Sequence, residues 1–305
     1  MWAEAIILTV ITAATPLALA ALGELVTERS GVLNLGVEGM MAVGAVTAFA
    51  VAVTTGSGAA GILAGAMAGA ALSLIFAFLT ITLATNQVAT GLALTLFGLG
   101  ISGVIGDGFV GISRPPLPQL EIPGLSDLPL VGRILFRQDA MVYLSIALTA
   151  GVWWFLSRSR QGLKLRAVGD SHASAHALGL NVMLTRYLAV MFGGACAGLG
   201  GAYLSLAYTP MWIDDMTAGR GWIALALVVF ATWMPWRLLA GAYLFGAITI
   251  LQFHAQGAGI GLPSQLMSSL PYLATIVALV LISGRGRLAL RHTPLSLGKS
   301  FVPER

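Results

Sequence analysis

The sequence predicts an all-α polytopic membrane protein of about nine transmembrane helices arranged in two inverted repeats. Three observations carry this: a composition poor in charge, nine apolar runs of membrane length, and an uneven distribution of cations between the loops. Of 305 residues 57% are hydrophobic and 9% charged, and the mean hydropathy is +0.89. Soluble chains carry about 25% charged residues, so a water-exposed globule is excluded. The 38 glycines follow no collagen period and suit helices packed closely in lipid.

The apolar runs fall at about 3–22, 37–55, 60–83, 88–106, 140–156, 187–208, 221–235, 238–254 and 268–283, near the ~20 residues that a bilayer requires of a helix. The stretch 158–186 holds five of the sixteen Lys and Arg residues. So charged a loop does not cross a bilayer cheaply, and it marks the cytoplasmic side. Counting outward puts the N-terminus outside and the C-terminal tail inside. Arg29, Arg237, the loop cations and the tail residues Arg285, Arg287, Arg291, Lys299 and Arg305 are then internal, whereas Arg114, Arg133, Arg137 and Arg220 are external. The resulting division is repeat one at about 3–106, an outer loop 107–139, a cytoplasmic loop 158–186, repeat two at about 187–283, and a cytoplasmic tail 284–305.

Taken in order, the N-terminus MWAEAIILTV lacks a basic segment, so a cleaved signal peptide is not expected. Residues 23–41, GELVTERSGVLNLGVEGMM, interrupt the first two runs with Glu24, Glu28, Arg29, Asn34 and Glu38 among four glycines. Ionisable groups at membrane depth line a cavity or pair with one another, and broken backbone is tolerated there only inside protein. Glu24, Glu28 and Arg29 can equally cap helices at a turn; Asn34 and Glu38 are harder to dismiss. Gly61, Gly65 and Gly69 form a small-residue helix-packing face, as do the glycines at 193–201. Asn86 and Gln87 stand at a turn before the fourth run. The outer loop, with SRPPLPQLEIPGLSDLPLVG, is too polar to span; 128–136 reads as a short surface helix, and the loop is either a cap for an external partner or a connector.

In the second half, Asp214–Trp222 precedes an apolar run much as Thr27–Gly31 precedes NLGVEGMM. Five spans separate the two segments. The number is odd, so they are inverted with respect to each other, a recurring transporter plan with broken helices at the repeat interface. Farther on, the Pro in Trp233-Met234-Pro235-Trp236-Arg237 stops a helix, and the two Trp suit an interface.

Signals for chemistry are poor. His172 and His176 are spaced for one helix face but lack an HExxH glutamate, so no metal site is expected. Gly298-Lys299-Ser300 resembles the end of a P-loop, yet Thr293 stands where the pattern needs Gly. The chain is therefore expected to be no enzyme and to need no cofactor. Cys196 lies alone in an apolar run and reads as a packing residue. The net charge of +4 follows from loop cations rather than from nucleic-acid binding.

GELVTERSGVLNLGVEGMMAVGA, TNQVATGLAL, GLKLRAVGDSHASAHALGLNV and TAGRGWIALALVVFATW together resemble the permease subunits of ATP-binding cassette importers. The group is the branched-chain amino acid, simple-sugar and nucleoside permease family, and ERSGVLNLGVEGMM is similar to its nucleoside (simple-sugar) type. The resemblance runs from about Thr15 to Ser283. It implies the type II ABC importer permease fold in the inner (plasma) membrane. It also implies partners: ATPase subunits, a second permease subunit (a paralogue), an extracytoplasmic solute-binding protein and surrounding lipid. The loop 158–186 would carry the coupling helices, with Gly169, Asp170, Ala173, Ala175, Gly179 and Leu180 meeting the ATPase. For the solute pathway the candidates are Asn34, Glu38, Asn86 and Gln87. The expected cargo is a nucleoside, with a monosaccharide or branched-chain amino acid as the alternative. An ion-coupled secondary transporter is the rival from another class, and the scarcity of carboxylates within the spans disfavours it.

Overall fold

The computed structural model describes residues 2–121, 123–124, 126, 131–257, 263–283 and 293–302. Its helices in chain order are α1 (Trp2–Arg29), α2 (Val37–Thr55), α3 (Gly58–Ala77), α4 (Gln87–Gly106), α5 (Val131–Phe136), α6 (Ala140–Arg158), α7 (Arg160–Asp170), α8 (His172–Ala177), α9 (Val182–Tyr203), α10 (Arg220–Phe230), α11 (Pro235–Gly257), α12 (Ser264–Ser268) and α13 (Leu270–Ser283). Each of the nine apolar runs lies on a helix. Among the described residues seven helices are long and apolar enough to cross a membrane.

The run at 221–235 is corrected by the structure. Only Arg220–Phe230 is helical, 11 residues, which at 1.5 Å per residue reaches about 16 Å, roughly half of a ~30 Å hydrocarbon core. The break comes before Pro235. Thr232 and Trp233 both adopt positive φ (50° and 55°), reversing the chain within two residues.

Helices α1, α2, α3 and α9 pack together at the centre. Their contact is backbone to backbone, through glycine. A Cβ on Gly65 would stand 2.8 Å from the Gly44 carbonyl, one on Gly44 2.5 Å from Gly198 Cα, and one on Gly69 would overlap the Gly194 carbonyl. The small-residue faces expected at 61–69 and 193–201 are thus one interface, with Gly44 of α2 joining it. Without a hydrophobic force between helices in lipid, such close approach and its dispersion energy supply the attraction. Cys196 is buried in the same layer, 2% exposed. Outward, α3 and α4 present Leu63, Met67, Leu96, Phe97 and Val104, all more than half exposed, as a lipid-facing surface does.

The molecule has two polar ends. One gathers the turn 30–36, the start of α4, helices α7 and α8, the turn 231–235 and residues 293–302; most of the described cations lie there. The other holds residues 107–121, 131–139 and 209–214. There the all-α expectation misses a two-stranded antiparallel ribbon, β1 (Gln119–Glu121) with β2 (Arg137–Asp139). Its strands are three residues long and fall below what periodicity in a sequence can reveal. Of the surface helix read at 128–136, Val131–Phe136 is helical and 127–130 lie outside the described residues, as do Arg285, Arg287, Arg291 and Arg305 of the tail. Asp139 caps α6, accepting from the Met141 and Val142 amides, and also accepts from the Tyr203 hydroxyl of α9. Burial raises its carboxyl above the usual carboxylate range, against these hydrogen bonds. The loop also grips the segment after α9: Arg114 N–H donates to the Pro210 carbonyl and Leu117 N–H to that of Leu206.

Candidate functional site

Residues 30–36 form an irregular strand inside the protein, between the end of α1 and the start of α2. Gly31 turns the chain with φ +87°, after which the backbone runs without helical bonding through Val32–Asn34. Unpaired amides are costly away from water, so each needs a partner. Side chains supply them. Leu33 N–H donates to Gln87 Oε1 at 2.8 Å, and Asn34 N–H to Glu24 Oε1 at 3.1 Å. Gly36 N–H donates to Asn34 Oδ1 at 2.9 Å, and the Thr95 hydroxyl donates to the Leu35 carbonyl at 2.9 Å. The polar residues that interrupt the spans thus hold a broken helix.

The second half of the break comes from the segment that leads into α10. The segment 209–219 runs inward from the loop end and opens α10 at Gly219, whose φ is +80°. Glu38, in the first turn of α2, caps that helix: Gly219 N–H donates to Oε1 at 2.8 Å and Gly221 N–H to Oε2 at 2.5 Å. The first amides of a helix have no internal acceptor and carry the positive end of its dipole, so a carboxylate is the matching partner. Gly221 permits the approach, since a Cβ there would stand 2.5 Å from Glu38 Cα. The first turn of α2 and the start of α10 therefore meet N-terminus to N-terminus through Glu38. Arg220 begins α10, where its guanidinium donates to the Met216 carbonyl at 3.0 Å and lies 5.3 Å from the Tyr208 ring centre.

At the far end of α10, Trp233 Nε1 donates to Glu28 Oε2 at 2.6 Å, and Arg29 Nη2 donates to the Trp233 carbonyl at 3.2 Å. Trp233 is 5% exposed, so of the two Trp read as interfacial only Trp236 is exposed. Trp233 is buried where its indole meets Glu28 at the end of α1. Nothing in the local sequence announces that pairing with Glu28, 205 residues away.

The expected pathway residues divide. Asn34, Glu38 and Gln87 converge on this junction and are each at most 3% exposed; Asn86 does not join them. It is exposed and caps α4, accepting from Ala89 N–H. Glu24 Oε2 and Gln87 Nε2 are buried with no hydrogen-bond partner among the described residues. Glu24 and Thr95, whose side chains complete the junction, were missed as site residues; their signal was a polar group inside an apolar run.

Beneath the junction lie α7 and α8, joined at Ser171, which ends one helix and caps the other. Gly169 and Ala175 face inward. A Cβ on Gly169 would overlap the Arg29 carbonyl, and Ala175 packs with Val168, Val182 and Phe301. Asp170, Ala173 and Gly179 are exposed and Leu180 is half-buried. Leu178, which the sequence reading passed over, is 81% exposed at the tip. Gly179 closes α8 in a left-handed turn, φ +79°, with Gly179 N–H to the His176 carbonyl and Leu180 N–H to that of Ala175. The rings of His172 and His176 share a face, and Phe301 occupies it, each centroid 5.3 Å from its ring. A separate cavity of about 490 Å³ opens between α6, α7 and α9, lined by Leu148, Val152, Phe155, Leu188 and Phe192 with Lys164 at its edge. That lining suits a hydrocarbon chain and offers little to a hydroxylated solute.

Comparison with known proteins agrees with this architecture. A permease protein of Haloferax volcanii, provisionally named for glucose ABC transport, is 46% identical over 88% of both chains. The guanosine ABC transporter permease protein NupQ of Bacillus subtilis is 35% identical over 89% of this chain and 90% of its own. The nucleoside ABC transporter permease protein NupC of Lactococcus lactis is 31% identical over 92% and 93%. No solved structure matches the chain. The family profile described as "Branched-chain amino acid transport system / permease component" covers residues 6–283. The chain is a multi-pass membrane protein and belongs to this permease family.

Proposed function

We propose that the chain is the membrane-spanning permease subunit of an ATP-driven importer, in which partner ATPase subunits hydrolyse the nucleotide and this chain provides half of the solute pathway. The end bearing α7 and α8 faces the cytoplasm and the N-terminus lies outside, in the inner (plasma) membrane. This orientation is supported by the cations gathered at the α7–α8 end. A second permease subunit, a paralogue of this one, completes the pathway, and an extracytoplasmic binding protein delivers the solute.

The observation that carries this reading is the continuity between the α7–α8 pair and the broken-helix junction. Gly169 of α7 lies against the backbone at Arg29 and Gly31, the residues that lead into Asn34 and Glu38. A push on the pair therefore reaches the half-helices without passing through flexible chain. The exposed rim of the pair, Asp170, Ala173, Leu178, Gly179 and Leu180, is the face offered to the ATPase, while Gly169 and Ala175 hold it in position. Movement would separate the Glu38 cap from α10 and expose Gln87 and Glu24, whose unpaired polar atoms can receive solute hydroxyls.

The cargo is a sugar-bearing solute. The similarity to a glucose permease favours a free monosaccharide, and the similarity to guanosine and nucleoside permeases favours a nucleoside. Sparse buried charge does not discriminate between the two, because the buried charged groups bond backbone groups and a Trp side chain of the protein itself. Reconstitution in liposomes with the ATPase, second permease and binding protein tests the whole. ATP-dependent uptake of labelled glucose, blocked or not by guanosine, identifies the cargo. Uptake by this chain alone would overturn the importer reading.

A further inference from the structure

Three segments remote in sequence meet at the α7–α8 end, and one side chain ties them. Arg186, on the first turns of α9, is 1% exposed. Its Nε donates to the Ser30 carbonyl at 3.2 Å, its Nη1 to the Lys299 carbonyl at 3.1 Å, and its Nη2 lies 3.3 Å from His172 Nδ1. These acceptors belong to the turn before the broken helix, to residues 293–302 and to α8. A guanidinium has five donors in a rigid fork and can hold three acceptors at fixed angles, which an ammonium on a flexible stem cannot.

Residues 293–302 are held at further points on α7 and on the turn. Ser296 N–H donates to the Gly169 carbonyl at 2.9 Å and its hydroxyl to the Asp170 carbonyl at 3.3 Å. Gly298 N–H donates to the Gly31 carbonyl at 3.1 Å. Phe301 then sits between the rings of His172 and His176 and packs on Val168, Ala175 and Val182. The segment spans from the broken-helix turn past α7 to α8: backbone bonds hold it to the turn and to α7, and the Phe301 ring closes on α8.

We infer that residues 296–301 and Arg186 form a tie that makes α8 and the 30–36 turn move as one body, so that Arg186 and Phe301 are positioning residues for coupling. This rests on the reading of α7 and α8 as the ATPase-facing pair. Gly169 touches the turn from α7; α8, which carries the exposed tip at Leu178, leans on α7 through Ala175 against Val168 and is linked to the turn itself by Arg186 and the 296–301 segment. Without the tie a push on the tip would bend α8 about Ser171 and dissipate.

The test uses the assembled complex carrying Phe301→Ala, Phe301→Leu or Arg186→Lys, with Leu295→Ala as a control at an exposed tail position. Amide exchange in residues 172–180 is measured beside the ratio of ATP hydrolysed to solute imported. Phe301→Ala and Arg186→Lys should raise exchange at least tenfold and the ATP-to-solute ratio at least threefold, with hydrolysis retained. Phe301→Leu should recover at least half of the coupling, and Leu295→Ala should match the wild type. Unchanged exchange in Phe301→Ala overturns the tie, whatever the complex transports. Raised exchange with an unchanged ratio, or hydrolysis and uptake falling in proportion, overturns its part in coupling. A wild-type complex that hydrolyses ATP without uptake would instead sink the importer reading, and exchange alone would then decide the tie. Should Arg186→Lys fail to assemble, the two Phe301 variants, at a peripheral plug, carry the test.

Discussion

Replacing Glu38 is the sharpest perturbation of the junction. Its two oxygens take the Gly219 and Gly221 amides at 2.8 and 2.5 Å, inside protein, where no water substitutes. Hydrogen bonds to a charged group are worth about 1.5–3 kcal/mol each, and a buried donor left unpaired costs about 1–3 kcal/mol. In Glu38→Gln the amide oxygen keeps one donor while the NH2 group turns toward the other, so one bond is lost, at about 2 kcal/mol. Glu38→Ala strands both donors, at about 2–6 kcal/mol. Helix α10 has 11 residues, below the length at which a helix stands without tertiary support, so it has little with which to absorb the loss. At about 2–4 °C per kcal/mol, the Gln variant should melt about 4–8 °C lower in detergent. Glu121→Gln, at the solvent-exposed pair with Arg137, should shift the melt by less than the equivalent of about 1 kcal/mol. The assay is thermal unfolding of the purified chain read by size-exclusion profile, repeated as ATP-driven uptake in the complex. If Glu38→Gln melts with the wild type, the carboxylate does not hold α10 and the argument for a paired junction fails.

Gly179→Arg should leave the chain inserted but abolish ATP-driven uptake, because it sets a bulky cation on the exposed rim and forces a side chain into φ +79°, a strain of about 1–2 kcal/mol. Gly179→Asn, which tolerates that conformation, should transport nearly normally; normal uptake by the Arg variant would refute the docking role. In the central interface, Gly69→Ala should lower stability by about 1–3 kcal/mol or more through overlap with the Gly194 carbonyl. Gly100→Ala, with open space around it, should be neutral or mildly stabilising in the same melt. Acidification should loosen α8. His172 is held below its usual range by burial first, then by Arg186 and Lys299, and its Nδ1 must stay unprotonated to accept from Arg186. Because the folded value lies below the unfolded one, the contribution is complete above the unfolded pKa of about 6.5 and is lost as pH falls below it. Amide exchange over 172–180 should therefore rise between pH 7.5 and 5.5 in the wild type and lose that dependence in His172→Asn.

Much of the fold was legible because lipid imposes its demand residue by residue. A helix in lipid needs an unbroken apolar run, and every run carries a helix, though the one at 221–235 is helical only over Arg220–Phe230. The glycine spacing at 61–69 identified a packing face, since only a missing Cβ allows the approach seen at Gly65 and Gly69. The half-length of α10 was not legible. Apolar residues continue through Ala231, Trp233 and Met234, and the helix ends by backbone reversal at Thr232 and Trp233, a conformation to which those residue types give no clue. The junction was half legible. Polar residues at the ends of apolar runs flagged Asn34, Glu38, Asn86 and Gln87 alike, and that flag could not tell the three that converge on the junction from Asn86, which caps α4 at the surface.

The sequence by itself determined the class, the apolar runs on which the long helices form, and the uneven distribution of its cations between the loops. Those depend on composition, periodicity and charge, which are local. The tertiary structure alone decided which partners those residues take: Glu38 on α10, Glu28 on Trp233, Arg186 across three segments, Phe301 between two histidines. Each is a bond between groups more than 100 residues apart, Arg186 to His172 excepted. Pairings over such distances leave no pattern in a single chain, because the physics that selects them is the geometry of the packed helices.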